Sequence, residues 1–163
     1  AITILFAAFT STYLVRRGGS DWQNGPLPPM LWVTTAVILA SSAGMAWANT
    51  CGRRGSAGGL RAGLAAALAF GAAFLAGQIV VWRELVAAGV YLATNPHSSF
   101  FYLLTGAHGL HLAGGIAALG YALWKTGRAS TPAEALEVAE PVATYWHFLT
   151  GLWLVLFVIL FWI

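Results

Sequence analysis

The stretch from Phe100 to Gly115, FFYLLTGAHGLHLAGG, sets His108 and His111 three residues apart in a run that is otherwise aromatic, aliphatic, hydroxyl-bearing and glycine. On a helix that spacing places both imidazoles on one face, and His147 lies further along the chain. Histidines so placed can bind zinc or copper, ligate haem, relay protons, or tie one helix to another by hydrogen bonds. Each chemistry makes a different demand on the rest of the sequence.

A zinc or copper site would need the three imidazoles to converge. The spacing predicts His147 near the cytoplasmic end of its helix and His108 about nine residues into a helix that starts outside, a depth offset of a turn or more. No Cys, Met or carboxylate at comparable depth completes a ligand set. Haem held by two histidines needs them on opposite sides of the ring, which two residues on one helix at spacing three do not supply. Cys51 is the lone cysteine, so there is no disulfide framework, paired-thiolate metal site or c-type haem attachment pattern. A proton path would need acids at mid-depth, yet Asp21, Glu84, Glu134, Glu137 and Glu140 all fall in predicted loops or at helix ends. The reading with the fewest demands is that the imidazoles hydrogen-bond across helices inside a bundle, at about 0.6 to 2 kcal/mol each.

The elements that must carry these residues follow from composition. Of 163 residues 59% are hydrophobic and 8% charged, against about 25% charged in soluble domains, so the chain reads as an all-α integral membrane protein with no sizeable aqueous domain. Hydropathy predicts a single bundle of five transmembrane helices, about 1–15, 29–48, 60–86, 99–124 and 143–163. The first offers only about 15 apolar residues before Arg16, short of the ~20 needed to cross, so the numbering is expected to begin partway into that span. It has neither the charged leader nor the cleavage site of a signal peptide. Pro26, Pro28 and Pro29 suit a helix start, and STPAEALE reads as a short capped amphipathic turn in the last loop.

The net charge of +3 reads as loop charge that orients helices, with no nucleic acid implied. Arg53, Arg54, Arg61, Lys125 and Arg128 gather on one side and Arg16, Arg17 and Arg83 on the other. That bias predicts loops 49–59 and 125–142 to be cytoplasmic and the C-terminus to face outward. Trp32, Trp47, Trp82, Trp124, Trp146 and Trp162 fall near predicted helix ends, as an aromatic belt does, while Trp153 sits well inside. Small residues recur every fourth position, in Gly63, Ala67, Gly71, in Ala65, Ala69, Ala73, Gly77, and in Gly109, Ala113, Ala117, which suits close helix packing within the chain or against a partner.

SSFFYLLTGAHGLHLAGG, followed by TYWHFLTGLWLVLFVILFW, resembles the signature of subunit III of haem-copper oxidases, the cytochrome c oxidase type. GPLPPMLWVTTAVILASSAGMAWA and FLAGQIVVWRE are similar to two further helices of that family, so the resemblance covers nearly the whole chain. It implies the short, five-helix bacterial form in the bacterial cytoplasmic membrane. Such a subunit is non-catalytic, with no cofactor in this chain and with haem and copper held in partner subunits. It packs on the catalytic subunit I and stabilises it, aids proton uptake and binds phospholipid. Subunit II, other oxidase subunits, membrane lipids and a respiratory supercomplex are the further partners implied. His108, Gly109, His111, Tyr145, Trp146, His147 and Trp153 become family-signature structural or interface residues, and Gln78, Trp82, Arg83 and Glu84 interfacial or lipid contacts. Family members often carry a membrane-buried glutamate in the first span; the aligned place here falls at or before Ala1, so a proton-antenna role is not carried over. The homologous subunit of a quinol oxidase or nitric oxide reductase remains an alternative, as does a membrane protein that binds metal through histidine.

Overall fold

The computed structural model describes residues 2–22, 25 and 27–162; Ala1, Pro26 and Ile163 lie outside the described residues, as does the side chain of Trp162. Five helices follow in order: α1 Ile2–Arg16, α2 Met30–Arg53, α3 Ala57–Ala87, α4 Pro96–Thr126 and α5 Pro132–Trp162. Among the described residues there is no strand. Helices α2 to α5 are each long and apolar enough to cross a membrane, whereas α1 has 15 residues.

Local chemistry sets the boundaries. Gly55 and Gly89 turn the chain with φ of 78° and 76°, a left-handed conformation that glycine adopts without strain. The Ser56 side chain caps α3 by accepting from Gly59 N–H. Asn95 and Ser98 form a reciprocal capping box at the start of α4, with Pro96 at its first position.

The helices run further than hydropathy predicts. The expected end of the second near residue 48 gives way to Arg53, and the third and fourth start three residues earlier than expected. The largest difference is α5, expected from about 143 and found from Pro132. The capped turn read in the last loop is the first turn of this helix, with Ser130 N–H donating to Glu134 and Glu134 N–H to Thr131 Oγ1. Pro141 lies inside it and costs one backbone bond. Packing offsets that cost: Ala135, Ala139 and Ala143 are buried at four-residue intervals, and Leu136 lies against Gly52 at the end of α2.

Helix α2 packs closest on α3, α3 on α4, α4 on α5 and α5 back on α2, a closed ring of four, with α1 leaning on α4. The first predicted row of small residues brings the backbone of α3 against that of α2. A Cβ on Gly63 would stand 2.6 Å from Ala48 Cβ and 2.7 Å from its Cα, and one on Gly71 would stand 2.6 Å from the Trp146 ring. Of the second row Gly77 is buried against Thr34, while Ala65, Ala69 and Ala73 face outward. On α4 Ala113 and Ala117 also face outward.

Candidate functional site

His108 is fully buried, stacked on Trp153 of α5 with centroids 5.2 Å apart and against the Phe74 ring of α3 at 6.0 Å. Neither of its ring nitrogens has a hydrogen-bond partner among the described residues. The expected hydrogen bond across helices is therefore not made by His108 among the described residues; its contacts are those of an aromatic wedge joining three helices. His111, one turn on, donates from Nδ1 to Ala107 O at 2.7 Å and meets the edge of Phe6 on α1. Gly109 lies 3.8 Å, measured from a Cβ position, from Leu75 of α3.

Three consecutive residues of α5, fanned by the 100° step of a helix, reach α4 once and α2 twice. Tyr145 donates its hydroxyl to His111 O at 3.2 Å. Trp146 points into the ring and donates from Nε1 to Ser41 Oγ at 3.1 Å, and Ser41 in turn donates to Ala67 O at 2.6 Å. The His147 Nδ1 is hydrogen-bonded to Ser42 Oγ at 2.6 Å. Two turns on, Trp153 donates from Nε1 to Thr35 Oγ1 at 3.0 Å, and Thr35 donates to Leu31 O. On α3, Gln78 donates from Nε2 to Thr34 Oγ1 at 3.1 Å, and Trp82 donates to Thr105 Oγ1 at 3.2 Å.

Two expectations are corrected here. Trp146 belongs to no aromatic belt: it is fully buried at mid-helix between Gly71 and Gly115, because α5 begins a long way before it. Trp32, Trp47 and Trp124 are 51%, 52% and 55% exposed and fit the belt. His147 is not near the cytoplasmic end either. It pairs with Ser42, which lies about 17 Å from each end of α2 at 1.5 Å per residue.

The signature residues thus form a hydrogen-bonded and aromatic weld across α2, α3, α4 and α5, not one cluster. Among the described residues no group of three or more His, Cys, Asp or Glu could hold a metal ion. His108 stands level with Trp153, about 9 Å by helix rise from His147, while His111 faces α1 and His147 faces α2. Arg83 and Glu84 are exposed and carry no ion pair among the described residues. The acceptors on α2 were not singled out from sequence. Their signal was there: hydroxyl pairs Thr34–Thr35 and Ser41–Ser42, seven residues apart in an apolar helix, recur on one face.

Apolar grooves open on the outer surface of the described helices. One of about 640 Å³ between α1 and α5 is lined by Phe6, Ala7, Leu14, Phe148 and Val155 among others. Another, about 300 Å³ between α3 and α4, is lined by Leu75, Gln78, Trp82, Gly106 and Gly109 among others.

The profile of the family described as cytochrome c oxidase subunit III matches residues 24–163. The chain is 32% identical to the probable cytochrome c oxidase subunit 3 of Mycobacterium tuberculosis (strain ATCC 25618 / H37Rv), over 98% of this chain and 81% of that one. It is 33% identical to the probable cytochrome c oxidase subunit 3 of Nocardia farcinica over the same shares. To the cytochrome c oxidase subunit 3 of Corynebacterium diphtheriae it is 29% identical, over 98% of this chain and 82% of that one.

Proposed function

The chain belongs to the cytochrome c oxidase subunit III family, an accessory subunit of haem-copper oxidases, and on that premise we propose that it is a redox-silent, five-span member that braces the haem-bearing subunit. Haem and copper then reside in the partners, and the names of the relatives favour a cytochrome c oxidase over a quinol oxidase. The observation that carries the reading is where the signature residues spend their polar atoms. Tyr145, Trp146 and Trp153 donate to α4 and α2 within the bundle, so they weld the chain's own helices.

In this reading α1 is the fifth span and the whole chain folds as one transmembrane unit. The short connections 54–56 and 127–131, with the helix ends that flank them, face the cytoplasm of a bacterium, with Arg53, Arg54, Arg61, Lys125 and Arg128 at that surface. The apolar α1–α5 groove takes a phospholipid acyl chain. Solubilising membranes in a mild detergent and capturing this chain by a tag tests the role. Co-elution of haem, copper and oxygen-consuming activity supports it, and a chain that elutes without them refutes it.

A further inference from the structure

We propose that the face shared by α2 and α5, centred on Ser42 and His147, is the one that docks against a transmembrane helix of the oxidase's catalytic subunit, and that this helix presents a hydrogen-bonding side chain at mid-depth. The inference rests on the accessory-subunit reading and adds to it which face meets the partner. Ser42 lies at the middle of the 24 residues of α2, about 17 Å from either end, which in a hydrocarbon core ~30 Å thick is the centre of the membrane. His147 is fixed at that depth by its 2.6 Å bond to Ser42, and it is exposed.

Nδ1 is taken by Ser42, and Nε2 has no partner among the described residues. Lipid tails offer no donor or acceptor, and an ionisable side chain at this depth normally faces protein or a water-filled cavity. An outward imidazole at the membrane centre therefore calls for a polar group from another chain. The surroundings let a backbone come close: Ala43, Ala46 and Thr144 are exposed. The outward faces of α3 and α4 make no such demand at mid-helix. That of α3 carries Ala65, Ala69 and Ala72, that of α4 Leu103 and Leu110, and lipid tails satisfy both.

The test is made in the intact complex. A photo-cross-linking phenylalanine analogue is placed at Ala43, with Ala69 on α3 and Ala113 on α4 as controls, and the membranes are irradiated before solubilisation. The expected result is an adduct between this chain and the haem-bearing subunit from position 43, at least about tenfold above either control. Adducts from position 43 with lipid alone or with a second copy of this chain, or equal adducts from position 69, overturn the assignment. Failure of the unsubstituted chain to co-purify with haem would instead refute the accessory-subunit reading itself, so the two failures are distinct.

A second measurement keeps the proposal testable if the cross-linker perturbs folding. His147→Leu is expected to reduce retention of this chain on the catalytic subunit by about 5- to 30-fold through a detergent titration, the equivalent of one intramembrane hydrogen bond, and His147→Gln to restore most of it. Leu and Gln variants retained alike refute the docking role.

Discussion

The contact between α2 and α3 should be the part of the bundle least tolerant of a single added methyl. In Gly63→Ala the new Cβ would stand 2.6 Å from Ala48 Cβ, 2.7 Å from its Cα and 2.8 Å from its backbone nitrogen. Carbon atoms rest at about 3.5 to 4.0 Å, so the helices must part by about 1 Å, and the obstruction is backbone that no rotamer change relieves. Overpacking of this kind costs about 1 to 3 kcal/mol, offset by up to about 1 kcal/mol of helix propensity on replacing glycine with alanine. A net loss of about 1 to 2 kcal/mol makes amides of α2 and α3 exchange about 5- to 30-fold faster. Gly114→Ala is the control, because a Cβ there meets nothing within 4 Å; it should leave exchange unchanged or slow it. Hydrogen exchange read by mass spectrometry on the solubilised complex makes the comparison peptide by peptide. Equal exchange in α2 and α3 for the two variants would refute the packing argument.

Three further outcomes follow from the same geometry. His108→Phe is expected to be neutral or stabilising in a thermal melt, since a ring without hydrogen-bond partners is replaced by an apolar ring between Phe74 and Trp153; a loss above about 2 kcal/mol would show that an imidazole nitrogen is bonded in the folded protein. Trp153→Phe removes the donor to Thr35 Oγ1 and part of a buried ring, and should cost about 1 to 3 kcal/mol in the same melt, with Thr35→Val failing to add to it. The Arg16 guanidinium, bonded to Asp21 at 2.7 Å, holds that carboxyl below its usual value. The stability this pair gives is present above the unfolded carboxylate value of about 3.9 and is lost as pH falls through the lower folded value. Proteolysis between α1 and α2 should therefore rise only in acid, and Asp21→Asn should show the raised rate at neutral pH as well.

The number of helices was legible in the sequence because apolar length survives folding unchanged; the cross-helix hydrogen bonds expected of His108 and His111 were not, since His108 meets Phe74 and Trp153 through ring contacts and His111 bonds back to Ala107 of its own helix. Boundaries were less legible. Pro141 and the acids Glu134, Glu137 and Glu140 mark a loop by composition, yet α5 passes through them, since Ala135 and Ala139 pack beside α2 and the acids stay in or near water. That error carried two others with it. A helix thought to start near 143 puts Trp146 in the headgroups and His147 at the cytoplasmic end; one that starts at Pro132 puts both at mid-membrane. Small residues were legible as a pattern but not as a choice of neighbour. Gly63 faces α2 and Gly71 meets Trp146 of α5, while Ala65, Ala69 and Ala73, with the same spacing, face outward, and only the rotation of α3 in the bundle distinguishes them.

The central claim, that this chain braces an oxidase and carries no redox centre itself, is tested most directly by stripping it from the purified complex and measuring metal and optical absorbance on both fractions. The account predicts that haem and copper remain entirely with the partner subunits and that the stripped chain shows neither a Soret band nor bound metal. Stoichiometric metal or haem on the isolated chain, lost on changing His108, His111 or His147 to Gln, would contradict it.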